Sequence, residues 1–151
     1  MGTTAVAVVV ALVAATTAAG APLLNLTLTG SAKGKPLKGK VQFARVMCSP
    51  TSGQGLLVLW NGSVQVKPRT FVNVSGEVSY AKFGKSAFGT KSGDSGASLV
   101  VNNDYSNRFG SGVPGGSGSG TLAKNRKSGS VDVVVVSGKD KVRIQGSWTC
   151  G

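Results

Sequence analysis

Apolar and polar residues alternate with a period of two along most of the chain. Within residues 141–150, one side of the pattern carries Val142, Ile144, Gly146, Trp148 and Cys150, and the other side carries only polar residues. This alternation is typical of a β-strand with one buried and one solvated face. Residues 72–80 and 24–29 repeat it, so we expect strands there too.

Residues 131–136, VDVVVV, form a β-branched run that the short segment SGKD joins to the last strand, and we expect these two strands to form a hairpin. Apolar residues nowhere keep a helical spacing, and 23 glycines interrupt the chain. The sequence therefore predicts an all-β domain, either a single antiparallel β-sandwich or a small closed β-barrel. Further strands are predicted for residues 41–48, 56–66, 84–90, 97–102 and 119–124.

Glycine-rich and polar segments indicate the connections between strands. We predict loops for residues 30–40, GSAKGKPLKGK, and for residues 110–120, GSGVPGGSGSG, the second a mobile loop. Asn61-Gly62 is a strong hairpin-turn signal, which would leave Trp60 at a strand end and partly exposed.

The first residues have the pattern of a secretory signal peptide. Residues 5–19 are an uncharged run of small and apolar residues, followed by the small residues Gly20 and Ala21. The run is shorter than the about 20 residues that a membrane-spanning helix needs. We expect residues 1–20 to be removed and residues 21–151 to form one secreted or cell-surface domain without a membrane span. The lack of Lys or Arg in MGTT leaves an uncleaved anchor as the alternative.

Two cysteines, Cys48 and Cys150, are the only ones in the chain. In an exported protein an isolated pair predicts a disulfide, which would tie an early strand to the last one. Trp148 lies on the apolar side of that last strand, two residues before Cys150. We therefore predict that Trp148 is a core residue packed near the disulfide.

Residues 93–100, GDSGASLV, resemble the nucleophile loop of chymotrypsin-like serine peptidases over these eight residues. In that family a histidine, held by an aspartate, activates the serine, and this chain contains no histidine. Lys85 and Lys91 are nominal bases for a serine–lysine pair, but no motif places either against Ser95. We interpret the motif as a turn that leads into a strand.

Other candidates for catalysis or metal binding are few. Glu77 is the only glutamate, and its place on the polar side of its strand favours a solvated position over acid–base work with an aspartate. Residues 102–104, NND, with Asn107 hold one carboxylate, which favours an Asx turn over a calcium site. A transition-metal site would need histidine or free cysteine. We expect no catalytic residue, no metal and no cofactor.

The charge balance is strongly positive, with 17 Lys and Arg against 5 Asp and Glu and a formal net charge of +12. Such a domain attracts polyanions. Export points to anionic envelope or extracellular polymers as partners, and the basic runs lack the interleaved aromatics of a single-strand nucleic-acid binder. The alternative is a basic surface that only provides solubility. The candidate patch comprises Lys33, Lys35, Lys38, Lys40, Lys124, Arg126 and Lys127.

Tyr105, Arg108 and Phe109 form a second candidate site, because two aromatics beside an Arg and asparagine amides resemble a platform for a sugar. The competing interpretation is that the aromatics pin a loop to the core. We therefore expect a small, monomeric, non-enzymatic structural or interaction module that binds anionic polymers weakly. The alternatives are a module that binds an apolar molecule or a carbohydrate and, less favoured, a hydrolase using Ser95 or Glu77.

Overall fold

The structure is a computed structural model, which describes residues 20–91 and 93–151. The predicted signal peptide, residues 1–20, falls outside these ranges except for Gly20. Within them, no helix has the length and apolar character to cross a membrane. Ten strands and one short 3-10 helix (Tyr105–Asn107) make up the regular structure: β1 (Leu23–Ala32), β2 (Lys35–Pro50), β3 (Leu56–Lys67), β4 (Thr70–Tyr80), β5 (Gly84–Phe88), β6 (Gly96–Val101), β7 (Phe109–Gly110), β8 (Ser117–Leu122), β9 (Ser128–Ser137) and β10 (Asp140–Thr149).

The strands close into an eight-stranded antiparallel barrel in the order β10-β1-β2-β3-β4-β6-β7-β9, and β9 pairs with β10 to complete the ring. Along its other edge, β9 pairs with β7 near Val136 and with β8 over residues 129–134. β5 then extends the sheet beyond β8. The prediction of an all-β fold is confirmed, and of its two architectures the structure has the closed barrel.

The two ends of the barrel differ in what they carry. One, the hairpin end, holds the turns that join β1 to β2, β3 to β4 and β9 to β10, together with the segment between β6 and β7. The other, the disulfide end, holds the β2–β3, β4–β5 and β8–β9 turns. There Cys48 and Cys150 form the predicted disulfide, with a Cα–Cα distance of 5.9 Å and a sequence separation of 102.

The inward-facing residues of the alternating pattern meet in one buried cluster, which includes Leu26, Val58, Val133, Ile144 and Trp148. The predicted burial of Trp148 is confirmed, since the side chain is 1% exposed. Three clefts formed by the described residues lie on the outer surface and at the hairpin end rather than within this cluster.

Each tryptophan lies across a glycine of the neighbouring strand. Trp60 pairs with Gly76, and Trp148 pairs with Gly129. A Cβ on either glycine would stand 2.4 Å from the indole Cζ2, which leaves no room for a side chain. The absent side chains therefore make the space in which the two rings lie against the sheet.

The two indole N–H groups differ in their partners. Trp148 Nε1 donates to the Tyr80 hydroxyl at 3.0 Å, and that hydroxyl donates to the Ser130 carbonyl oxygen at 2.6 Å. Trp60 Nε1 is buried and has no hydrogen-bond partner among the described residues. A buried donor without a partner lowers stability, so we expect the N–H of Trp148 to contribute more to the free energy of unfolding than the N–H of Trp60 does.

We expect Trp148→Phe to lower the free energy of unfolding by about 1–2 kcal/mol more than Trp60→Phe does. Both changes remove similar apolar surface, but only the first removes a hydrogen bond and leaves the Tyr80 hydroxyl without its donor. Denaturant unfolding of the two variants and the wild type measures the difference. Equal losses in both variants would contradict the assignment.

Residues 30–40 were predicted as a loop, and this is wrong. They form the end of β1, a turn at Lys33 and Gly34, and the start of β2. Leu37 is buried while Lys38 and Lys40 are exposed, so the segment is a strand with a basic outer face. Lysine is well tolerated on the solvated side of a strand, which is why composition misled the prediction.

The turn predicted at Asn61-Gly62 is also wrong, because β3 runs straight through both residues. Trp60 is consequently 3% exposed and lies in the core. A glycine is needed at position 62 because the bulged part of β2 comes very close to it. A Cβ on Gly62 would stand 2.6 Å from Val41 Cγ1.

Part of the predicted loop at residues 110–120 belongs to strands. Gly110 lies in β7, and Ser117–Leu122 forms β8, which leaves residues 111–116 as the connection. A Cβ on Gly118 would stand 2.3 Å from the Asp132 carbonyl oxygen, so this glycine permits close pairing with β9.

Candidate ligand-binding groove

A groove with a volume of about 520 Å³ crosses the outer face of β2, β3, β4 and β6. Strand pairing aligns its floor in two rows. One row consists of Arg45, Asn61, Ser75 and Val100, and the other of Met47, Leu59, Glu77 and Ser98.

A β-bulge decides which residues of β2 face this groove. The register between β2 and β3 shifts between Gln42 and Arg45. Before the shift, the outward residues include Lys38 and Lys40; after it, they include Arg45 and Met47. The extra residue thus reverses the alternation and turns an arginine into the groove.

The segment between β6 and β7 forms one wall. Asn102 and Asn103 have positive φ angles of 54° and 58°, a conformation that asparagine tolerates better than most residues. These residues turn the chain back over the outer face of β6, where Val100 is only 5% exposed. Tyr105 lines the groove from this wall and is 72% exposed.

Arg108 ties the wall to the floor. Its Nη2 donates to Glu77 Oε1 at 2.6 Å and to Ser98 Oγ at 2.8 Å. Exposed ion pairs of this kind contribute little to stability, so the main effect is to fix where the guanidinium and the neighbouring Tyr105 lie. Glu77 lies on the outer face of its strand, as predicted, where its partly exposed side chain pairs with Arg108.

A shallower cleft of about 310 Å³ continues the groove, since Asn61 and Ser75 line both. Its rim includes Phe43, which stands on the bulge with a φ of 53° and is 79% exposed. Phe43 packs edge-on against Phe71, with ring centroids 6.1 Å apart. An aromatic side chain therefore borders each part of the combined groove.

Of the predicted sugar platform, Tyr105 and Arg108 lie together at the surface, whereas Phe109 does not. Phe109 is fully buried in the core, where it begins β7. It therefore anchors the end of the wall segment, and a platform that uses both aromatics is ruled out. The rest of the groove was not predicted, because it depends on strand order and on the bulge.

Two residues of the GDSG motif accept hydrogen bonds from the backbone of the residues that precede it. Ser95 is 2% exposed, and its Oγ accepts a hydrogen bond from the Ala81 N–H at 3.1 Å. Asp94 Oδ2 accepts one from the Lys91 N–H at 3.1 Å. The motif thus contributes to the local structure between β5 and β6.

The structure separates the predicted basic patch into two groups. Lys33 and Lys35 lie at the hairpin end, with Lys38 and Lys40 beside them on β2, whereas Lys124, Arg126 and Lys127 lie at the disulfide end. The hairpin end also carries basic residues that the sequence reasoning missed, because they lie at two other connections, far along the chain from residues 33–40: Lys67 and Arg69 at the β3–β4 turn, and Lys139 and Lys141 at the β9–β10 turn.

All 5 carboxylates of the chain have a partner within the described residues. Glu77 pairs with Arg108 and Asp94 with the Lys91 N–H. The remaining three have lowered pKa values, mainly through hydrogen bonds with the following partners: Lys33 for Asp104, Arg143 for Asp132 and Ser31 for Asp140. The carboxylates therefore all have partners within the protein, whereas most of the basic side chains form no ion pair among the described residues.

Comparison with protein-family models, with curated protein sequences and with solved structures finds no significant match to this chain.

Proposed function

We propose that this protein is an exported, non-enzymatic module that binds anionic polymers of the cell surface or the extracellular space. The observation that carries the proposal is the imbalance of charge at the surface. Within residues 20–91 and 93–151, which hold all the charged side chains, all 5 carboxylates have internal partners, while only three of the 17 basic groups are in ion pairs. The remaining cations produce a field that attracts polyanions.

The arrangement of the basic groups favours the hairpin end as the binding surface. Three separate turns bring Lys35, Lys67, Arg69 and Lys139 to that end, and Lys38 and Lys40 extend the charge along β2. A surface formed by several turns presents its charges to a long ligand at more than one point. Binding is therefore expected to be electrostatic, multivalent and sensitive to salt.

Two features support a binding role over catalysis. The chain has no histidine, and the hydroxyl of Ser95 is buried and hydrogen-bonded. The apolar-ligand alternative has no supporting observation, since the core cluster occupies the barrel interior. The carbohydrate alternative is favoured by the groove.

We expect the protein to be retained on a polyphosphate-coated column at low salt and to elute at moderate salt. A variant with Lys35→Gln, Lys67→Gln and Lys139→Gln is expected to elute at clearly lower salt, because it loses three charges from the hairpin end. The matched control, with Lys82→Gln, Lys124→Gln and Lys127→Gln, loses as many charges from the disulfide end. Elution that ignores salt would overturn the proposal, and equal shifts in both variants would refute the role of the hairpin end.

A further inference from the structure

We infer that the groove binds a segment of an acidic polysaccharide, with the sugar ring against Tyr105 and its carboxylate at Arg45. This inference rests on the proposed function and names the class of polymer that the groove selects. It follows from the chemistry of the floor, the exposed aromatic ring, the cation and the open shape.

The floor has the polar groups that sugar hydroxyls require. Asn61 and Ser75 are in register on neighbouring strands, and Ser98 lies on the next strand in the adjacent row. Neighbouring strands are about 4.8 Å apart, so these groups repeat at a spacing set by the sheet. The amide of Asn61 and the hydroxyl of Ser75 can donate and accept hydrogen bonds, as can the hydroxyls of a sugar, while the buried Ser98 hydroxyl holds Arg108.

The groove also presents apolar surface beside these polar groups. Tyr105 is 72% exposed and Met47 is 62% exposed, and both line it. The C–H face of a pyranose ring can cover an aromatic ring while its hydroxyls reach the polar floor. A binding site that combines apolar walls with a few placed polar groups is typical of small-ligand recognition.

Arg45 selects for negative charge. It is exposed, lines the groove and has no carboxylate partner among the described residues. A guanidinium can bind a carboxylate through two parallel N–H groups. Arg108 is held at the opposite wall by Glu77 and Ser98 through one nitrogen, which leaves its other N–H groups available to a ligand.

The shape favours a polymer over a free monosaccharide. The groove is open, it continues into the cleft beside Phe43, and Lys38 and Lys40 lie farther along the same outer face of β2. A chain lying in the groove would therefore meet further cations towards the hairpin end. The volume of about 520 Å³ is suited to a disaccharide-sized unit of that chain.

Titration of the protein with a hexamer of galacturonic acid, with polyphosphate and with a single-stranded oligonucleotide tests the inference. Tyr105→Ala and Arg45→Gln are each expected to weaken binding of the hexamer at least tenfold. Tyr105→Ala is expected to leave polyphosphate binding unchanged, because polyphosphate has no ring to cover the tyrosine. Lys127→Gln, which removes one charge at the disulfide end, is the matched control and is expected to change binding of the hexamer less than twofold.

The outcomes separate this inference from the proposed function. Polyphosphate binding that survives while Tyr105→Ala leaves the hexamer affinity unchanged would overturn the inference and leave the proposed function intact. The inference would also be overturned if Lys127→Gln and Arg45→Gln weakened binding of the hexamer equally. It would be overturned as well if the oligonucleotide bound more tightly than the hexamer and its binding depended on Tyr105. Failure of the wild type to bind any of the three polyanions at low salt would overturn both.

Discussion

Replacing both cysteines with alanine (Cys48→Ala with Cys150→Ala) is expected to lower the free energy of unfolding by about 4–5 kcal/mol. The disulfide joins residues 102 positions apart, so it removes a large part of the conformational freedom of the unfolded chain. Both cysteines also pack against the core cluster, and the change to alanine removes that contact. Denaturant unfolding of the double variant against the wild type measures the loss.

The effect is expected to be local as well as global. The Cys150 N–H donates to the Lys127 carbonyl oxygen at 2.8 Å, so the disulfide also holds the last residues against the β8–β9 turn. In the double variant, we expect hydrogen exchange of the backbone amides to become faster first at the disulfide end and last at the hairpin end. Reduction of the wild type serves as the control that keeps both sulfur atoms. A loss below about 1 kcal/mol in the double variant would contradict the prediction.

Tyr80→Phe is expected to lower the free energy of unfolding by about 2–3 kcal/mol at neutral pH. The hydroxyl accepts from Trp148 Nε1 and donates to the Ser130 carbonyl oxygen, so its loss removes two hydrogen bonds and leaves the buried indole N–H without this acceptor. Burial raises the pKa of Tyr80 from 10.0 to about 12, and the hydrogen bond from Trp148 opposes this rise without cancelling it. The protonated form is therefore the one that the folded protein keeps.

The raised pKa gives this contribution a defined pH range. Below pH 10 the tyrosine is protonated in both states, and its stabilising contribution is complete. Between pH 10 and about 12 the unfolded chain releases this proton while the folded protein retains it, so about 2–3 kcal/mol of stability is lost. We expect the difference between the wild type and Tyr80→Phe to shrink over this range.

Tyr105→Phe is the matched control, because Tyr105 is the only other tyrosine and is exposed. In that variant the phenolate absorbance comes from Tyr80 alone, which allows its pKa to be followed directly. An absorbance rise centred near pH 10 while the protein stays folded would contradict the assignment. So would a Tyr80→Phe variant as stable as the wild type.

Strand positions could be predicted from the sequence because alternation is a local property. The strand predicted before Cys150 is β10, and the run of valines at residues 131–136 lies in β9, paired through the predicted hairpin. The disulfide could be predicted in the same way, since two cysteines permit one pairing, and the signal-peptide pattern predicts the export that favours it. Closure of the sheet into a barrel could not be predicted, because a sandwich and a barrel bury the same faces of the same strands.

The wrong turn and loop predictions have the same physical cause, which is close contact between neighbouring strands. Gly62 is required by the bulge of β2, and Gly118 by close pairing with β9, so neither glycine marks a turn or a loop. Such contacts join residues far apart in the chain, and no local pattern encodes them. A short-range turn signal therefore fails wherever a distant strand sets the local requirement.

The groove was only partly predictable for the same reason. Tyr105 and Arg108 are close in sequence, and their aromatic and basic character could be recognised together. Arg45 joins them only because a one-residue bulge reverses the side of β2 that it faces. Phe109 is buried, as the loop-pinning interpretation predicts, whereas Tyr105 is exposed, as the platform predicts. Neither interpretation separated the two aromatics, because which way each points depends on how the intervening chain changes direction.

Closure of the barrel has a consequence for how the protein behaves in crowded surroundings. A strand whose backbone N–H and C=O groups are already paired on both sides offers nothing for a second polypeptide to extend into a shared sheet. β5 is the last strand in the order of the sheet, spans five residues and carries the exposed Lys85, and its Ala87 carbonyl oxygen already accepts a hydrogen bond from the Ser95 N–H. A positively charged side chain on so short an edge discourages fibril-like stacking of one molecule on another.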